Sequence, residues 1–140
     1  NSNVIDYVTI ANTGNATDFG DLTESKYDVY SAHSTTRGLR IGGASDTNVI
    51  DYITMGSTGN ATDFGDLTIQ SNSNYMYVVH NGTYAWTTQS VGSVPKTKIT
   101  MATAGNAVEI TDGSGPFGVQ TSIQAASTTS VAKGWIAATG

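Results

Sequence analysis

NVIDYVTIANTGNATDFGDLT, residues 3–23, returns as NVIDYITMGSTGNATDFGDLT at residues 48–68. The copies differ only at Val8/Ile53, Ile10/Met55, Ala11/Gly56 and Asn12/Ser57. A repeat of about 45 residues has the length of one propeller blade or a comparable array unit. Such a unit cannot bury its apolar face alone, so the fold has to come from stacking copies. Past Thr23 and Thr68 the match collapses, and ESKYDVYSAHSTTRGLRIGG stands opposite IQSNSNYMYVVHNGTYAWTT. A constant half joined to a variable half describes a scaffold carrying interchangeable surface, which suits binding or building better than catalysis.

Within the constant block, Val4 to Ile10 reads as a strand with faces Val4/Asp6/Val8/Ile10 and Ile5/Tyr7/Thr9. Asn12-Thr13-Gly14-Asn15 reads as a turn, because Gly and Asn tolerate positive φ. Ala16 to Leu22 forms the returning strand. The same hairpin recurs between Val49 and Leu67. A third, decayed copy starts at Ile99, where Ile99-Thr100-Met101 and Gly105-Asn106-Ala107 match Ile53-Thr54-Met55 and Gly59-Asn60-Ala61. Glu109-Ile110-Thr111-Asp112-Gly113 stands there in place of Asp-Phe-Gly-Asp-Leu, as expected of a terminal repeat with one uncovered side. The chain thus divides into repeat 1 (residues 1–47), repeat 2 (48–94) and a degenerate terminal repeat with further strands (95–140), together one structural unit. Residues 116–124 and 131–138 read as two more strands.

The variable halves carry strands of their own. Arg37 to Gly43 is a short strand ending in a diglycine. Asn81-Gly82 signals a two-residue type I′ turn. That turn pairs Tyr77 with Trp86 and Val79 with Tyr84, placing these four on one face and Met76, Val78, His80, Thr83, Ala85 and Thr87 on the other.

Composition narrows the class. The chain has 140 residues, 12% of them charged, and a net charge of −5. Short β-branched and aromatic runs broken by Gly, Asn, Asp and Ser predict an all-β protein. Six scattered cations (Lys26, Arg37, Arg40, Lys96, Lys98, Lys133) on an acidic chain argue against nucleic-acid or anionic-membrane partners. The absence of cysteine excludes disulfide staples and thiolate chemistry. No run is apolar enough for a membrane span, and the opening in mid-pattern at Asn1-Ser2-Asn3 is what part of a longer polypeptide would show.

The order of a diglycine-ended strand (Leu39 to Gly43), an apolar-plus-tyrosine strand (Val49 to Ile53) and an aromatic strand (Asp63-Phe64-Gly65-Asp66-Leu67) resembles a kelch-type β-propeller blade. The longer phrase N-V-I-D-Y-[VI]-T-[IM]-x-x-T-G-N-A-T-D-F-G-D-L-T resembles repeats of marine tailed-bacteriophage structural proteins, the fibres and appendages. The first resemblance implies tandem kelch-like units forming propeller-blade-like antiparallel sheets. The second implies a virion structural protein, non-enzymatic, acting in assembly or host attachment. Its expected partners are other virion proteins, further copies of itself (a trimer foremost) and host surface polysaccharide. The alternative is a secreted bacterial kelch-type carbohydrate-binding module. A closed propeller takes roughly four or more blades, so about three units call for completion by oligomerisation, by further blades or by an intertwined fibre.

Candidate sites are few. Tyr75, Tyr77, Tyr84 and Trp86, with His80 beside the turn, form either a platform that stacks on sugar rings or the buried face of a sheet. His80 itself reads as a solvated turn residue. The repeated pairs Asp18/Asp21 and Asp63/Asp66 offer carboxylates to a hard cation, against the simpler reading that they cap turns and keep strand edges soluble. Asn15, Asn60 and Asn81 each open an Asn-x-Thr acceptor pattern and also sit where a turn needs asparagine. No nucleophile elbow, phosphate loop or dinucleotide fingerprint is present, and no cofactor is expected. A paired-carboxylate hydrolase would need its pair in the duplicated block, where scaffold is the better reading. Pro116-Phe117 and Trp135-Ile136 are candidates for docking or for the core of the last strands.

Overall fold

The computed structural model describes residues 2–44, 47–71, 76–89 and 95–111, together with the short strands at 124–125 and 136–137. The protein is all-β, and every strand pair is antiparallel. An N-terminal hairpin, β1 (Ser2–Tyr7) and β2 (Thr17–Lys26), comes first. A first four-stranded sheet follows as a meander of β3 (Tyr30–His33), β4 (Arg37–Ile41), β5 (Thr47–Thr54) and β6 (Thr62–Ser71). A second meander holds β7 (Met76–His80), β8 (Tyr84–Gln89), β9 (Lys96–Thr100) and β10 (Val108–Ile110). A last small pair joins β11 (Gln124–Ala125) to β12 (Ile136–Ala137).

The sequence period and the sheets are staggered. Each constant block supplies the last two strands of a sheet (β1–β2, β5–β6), and each variable half opens the next sheet (β3–β4, β7–β8). The variable halves therefore are not surface alone. Ala32, Leu39, Ile41, Met76 and Ala85 come from them and join Ile50, Phe64, Leu67, Ile99 and Met101 in one core cluster. β3 lies against β7, and the Tyr30 hydroxyl accepts from the Met76 N–H at 2.9 Å across the two sheets.

Both copies of the constant hairpin carry the same irregularity. In the first, Ile5 pairs with Gly20 and Asp6 with Asp18, so Phe19 is skipped. In the second, Ile50 pairs with Gly65 and Asp51 with Asp63, so Phe64 is skipped. An extra residue on one strand is a β-bulge, which bends the strand and turns a peptide group out of the ladder. The skipped ring packs edge-on against the tyrosine of the facing strand, Tyr7–Phe19 at 6.1 Å and Tyr52–Phe64 at 5.9 Å. The bulged strand is β2 in the first copy and β6 in the second, and β1 ends at Tyr7, short of the Ile10 expected.

The β7–β8 register differs from the expected one by two residues. Val79 pairs with Trp86 and His80 with Ala85, and the Asn81 N–H donates to the Tyr84 carbonyl, so the two-residue turn is Gly82-Thr83. Gly82 takes φ 85°, and the Asn81 side chain accepts from the N–H groups of Thr83 and Tyr84 at 3.0 and 2.9 Å. Asparagine acts here as the side-chain cap before the turn rather than as its first corner. A slip of two preserves the faces, because side chains alternate with period two. The strands expected at 116–124 and 131–138 fall mostly outside the described residues.

Candidate functional site

The most developed site joins one constant block to the next. The turn of the second copy reaches back to the N-terminal hairpin. The Gly59 N–H donates to the Phe19 carbonyl at 2.7 Å and the Ala61 N–H to the Asp21 carbonyl at 2.7 Å. Between them the Asn60 Oδ1 accepts from the Asp21 N–H at 3.0 Å. The third copy repeats this one sheet later. Gly105 donates to Phe64 at 2.7 Å, Ala107 to Asp66 at 2.8 Å, and the Asn106 Oδ1 accepts from the Asp66 N–H at 3.0 Å. Each clasp seats Gly-Asn-Ala of one hairpin on Phe-Gly-Asp of the hairpin before it, and the bulge is what frees the Phe carbonyl for it.

The glycine at the centre of the receptor strand is there for space. A Cβ on Gly65 would lie 2.6 Å from the Gly105 carbonyl carbon, and one on Gly20 would strike the Gly59 carbonyl. Gly20 and Gly65 also hold positive φ, 148° and 141°. The block is thus constant because it carries both halves of one backbone-to-backbone contact. Asp18, Asp21, Asp63 and Asp66 lie at this receptor, and Asp21 and Asp66 act through backbone N–H and C=O groups. Among the described residues no three His, Asp or Glu side chains converge on a point that would hold a metal ion.

A buried charge network sits between β2 and the first sheet. Arg40, 6% exposed, donates through Nε (3.1 Å) and Nη2 to Asp51, which is fully buried. Its Nη1 reaches Glu24 Oε1 at 3.1 Å and the Gly42 carbonyl at 2.9 Å. Thr23 donates to Asp51 at 2.6 Å and Thr47 to Glu24 at 2.7 Å. Partial burial pushes the Glu24 carboxyl up, but the hydrogen bonds from Thr47 and Arg40, together with the charges of Arg40 and Lys26, outweigh it, and its pKa ends below the usual carboxylate value. In the second sheet the matching positions are Thr87 and Thr97, whose hydroxyls meet at 2.7 Å. One scaffold position therefore takes an ion pair in one sheet and a hydroxyl pair in the next. A neighbouring pair trades places outright. Arg37 of β4 stands over Tyr52 of β5 at 4.6 Å, whereas Lys98 of β9 stands over Tyr84 of β8 at 5.2 Å.

The aromatic candidates fall into two groups. Tyr77, Tyr84 and Trp86 are half-buried, and the Tyr84 and Trp86 rings lie 5.8 Å apart. Tyr75 lies outside the described residues. His80 is buried, which corrects the expectation of a solvated turn residue; β7 packs on β3 and brings it to His33, ring to ring at 4.7 Å. Burial and the adjacent His33 lower its pKa, against a smaller raising effect of a hydrogen bond with the His33 backbone. Nothing in the sequence pairs these two imidazoles, which come from different sheets. An apolar cavity of about 430 Å³ lies between the N-terminal hairpin and the first sheet, with Ile5, Leu22, Val29, Leu39, Tyr52 and Ala61 among its walls. The described residues contain no helix long and apolar enough to cross a membrane.

No family model, no curated protein and no solved structure matches this chain.

Proposed function

We propose that this chain is a non-enzymatic structural protein of a tailed-phage virion, a fibre, appendage or decoration subunit whose blade-like sheets stack in tandem. The observation that carries the reading is the clasp. The residues spelled out identically in both copies are spent on joining one sheet to the next, which is an investment in building. The sequence resemblance supplies the virion setting. Partners on this reading are further copies of the chain, other virion proteins and host surface polysaccharide. Light scattering on the intact polypeptide tests it. A discrete trimer or larger ring supports the reading, and a stable monomer at high concentration overturns it.

One observation favours the alternative of a kelch-type carbohydrate-binding module. The half-buried Tyr84 and Trp86 rings share a face of β8, with Lys98 beside them, and aromatic faces stack on apolar sugar faces. Glycan binding by the monomer, lost in W86A with the fold intact, would select this alternative.

A further inference from the structure

The clasp has two halves, and one of them is unused. Thr13-Gly14-Asn15-Ala16 spells the same donor turn as Thr58-Gly59-Asn60-Ala61, and its backbone makes the same opening bond: Asn12 donates to Thr9 at 3.1 Å as Ser57 donates to Thr54 at 3.3 Å. Yet among the described residues Gly14 and Ala16 make no counterpart of the bonds that Gly59 and Ala61 donate, and Ala16 is exposed where Ala61 is half-buried and Ala107 is buried. The surface around it is apolar. Ile10 is 98% exposed, whereas the equivalent Met55 is 51% and Met101 0% exposed. Val4, Tyr7 and Val8 are exposed as well. Among the described residues β1 has no strand on the edge where β5 pairs with β4.

We propose that Gly14-Asn15-Ala16, with the open edge of β1, is a docking site for a β-hairpin bearing Asp-Phe-Gly-Asp, a repeat unit with its receptor strand unfilled. The occupant is identified by the two filled clasps, which show the same turn on the same motif. It is not a second copy of this chain as it stands. Both Asp-Phe-Gly-Asp motifs here, at 18–21 and 63–66, already hold a turn. The third receptor position carries Thr111 in place of glycine, and a side chain there meets the incoming carbonyl. The contact therefore has a direction: the chain accepts a unit at its first hairpin and offers no receptor at its third. The inference rests on the clasp geometry and holds for either functional reading.

Hydrogen exchange on an extended chain tests it. Residues 1–47 are placed ahead of residues 3–140, so that Thr47 precedes Asn3 as it precedes Asn48. In the parent chain the amides of Gly14 and Ala16 exchange freely, while those of Gly59, Ala61, Gly105 and Ala107 are protected. In the extended chain Gly14 and Ala16 become protected tenfold or more, and Gly→Ala in the motif of the added copy reverses this. Unchanged exchange at Gly14 and Ala16 with Gly59 and Ala61 still protected overturns the proposal, as does protection of Gly14 and Ala16 already in the parent. Should the extension disturb the fold, the triple variant E109D/I110F/T111G decides. It restores Asp-Phe-Gly-Asp at 109–112, and copies then associate head to tail in sedimentation unless A16P removes the donor N–H. A triple variant that does not associate rules the site out.

Discussion

At the scale of single residues, the same position has different meanings in different sheets. Arg40 and Asp51 are a buried ion pair where Thr87 and Thr97 are a hydroxyl pair. Removing one partner of a buried pair leaves an uncompensated charge, a loss of about 3–5 kcal/mol. R40A is expected to lose stability on that scale in urea titration, and R40T/D51T to lose less, since it installs the arrangement the second sheet already tolerates. A double variant no better than R40A would mean the two sites are not interchangeable. Titration adds a second expectation. His80 has a folded pKa below its ordinary value of about 6.5, so the unfolded chain binds the proton more readily. Stability is then full above that value and falls as pH drops through it towards the folded pKa. H80Q should flatten this part of a melting-temperature profile. Glu24 acts in the next window down. Its lowered pKa stabilises the fold above the ordinary glutamate range, and this is lost as pH falls through the folded value.

At the scale of the element, the constant hairpin is a bulge, a glycine and a turn acting together. G65A brings a Cβ against the backbone of Gly105 and demands φ near 141° from a residue that rarely adopts it. The φ alone costs roughly 1–3 kcal/mol. G14A, with open space around it, should stay within about 0.5 kcal/mol of the parent. The asparagines give a matched set. N60A and N106A each remove a clasp hydrogen bond worth about 0.5–1.5 kcal/mol, and N15A removes none. Equal thermal shifts for all three would show that the clasp contributes nothing measurable.

At the scale of the molecule, the protein is a series of antiparallel sheets, and one core cluster joins the two four-stranded ones. The N-terminal hairpin has a neighbour on one side and exposes Val4, Tyr7, Val8 and Ile10. It should open first, with β1 and β2 amides exchanging faster than those of β5 and β6. Uniform protection through all four strands would contradict this order. Much of the design was legible in the sequence. The repeat, the all-β class and the constant hairpin depend on local chemistry: alternation, positive-φ residues and side chains that cap their own backbone. The rest depends on partners far away in the chain. Only the tertiary structure shows that Gly20 and Gly65 make room for a turn about 40 residues on and that Phe19 and Phe64 are bulged. It alone brings His33 to His80 and moves the hairpin turn to Gly82-Thr83. Periodicity records which face a residue occupies, and a two-residue slip or a backbone-to-backbone contact leaves that record unchanged.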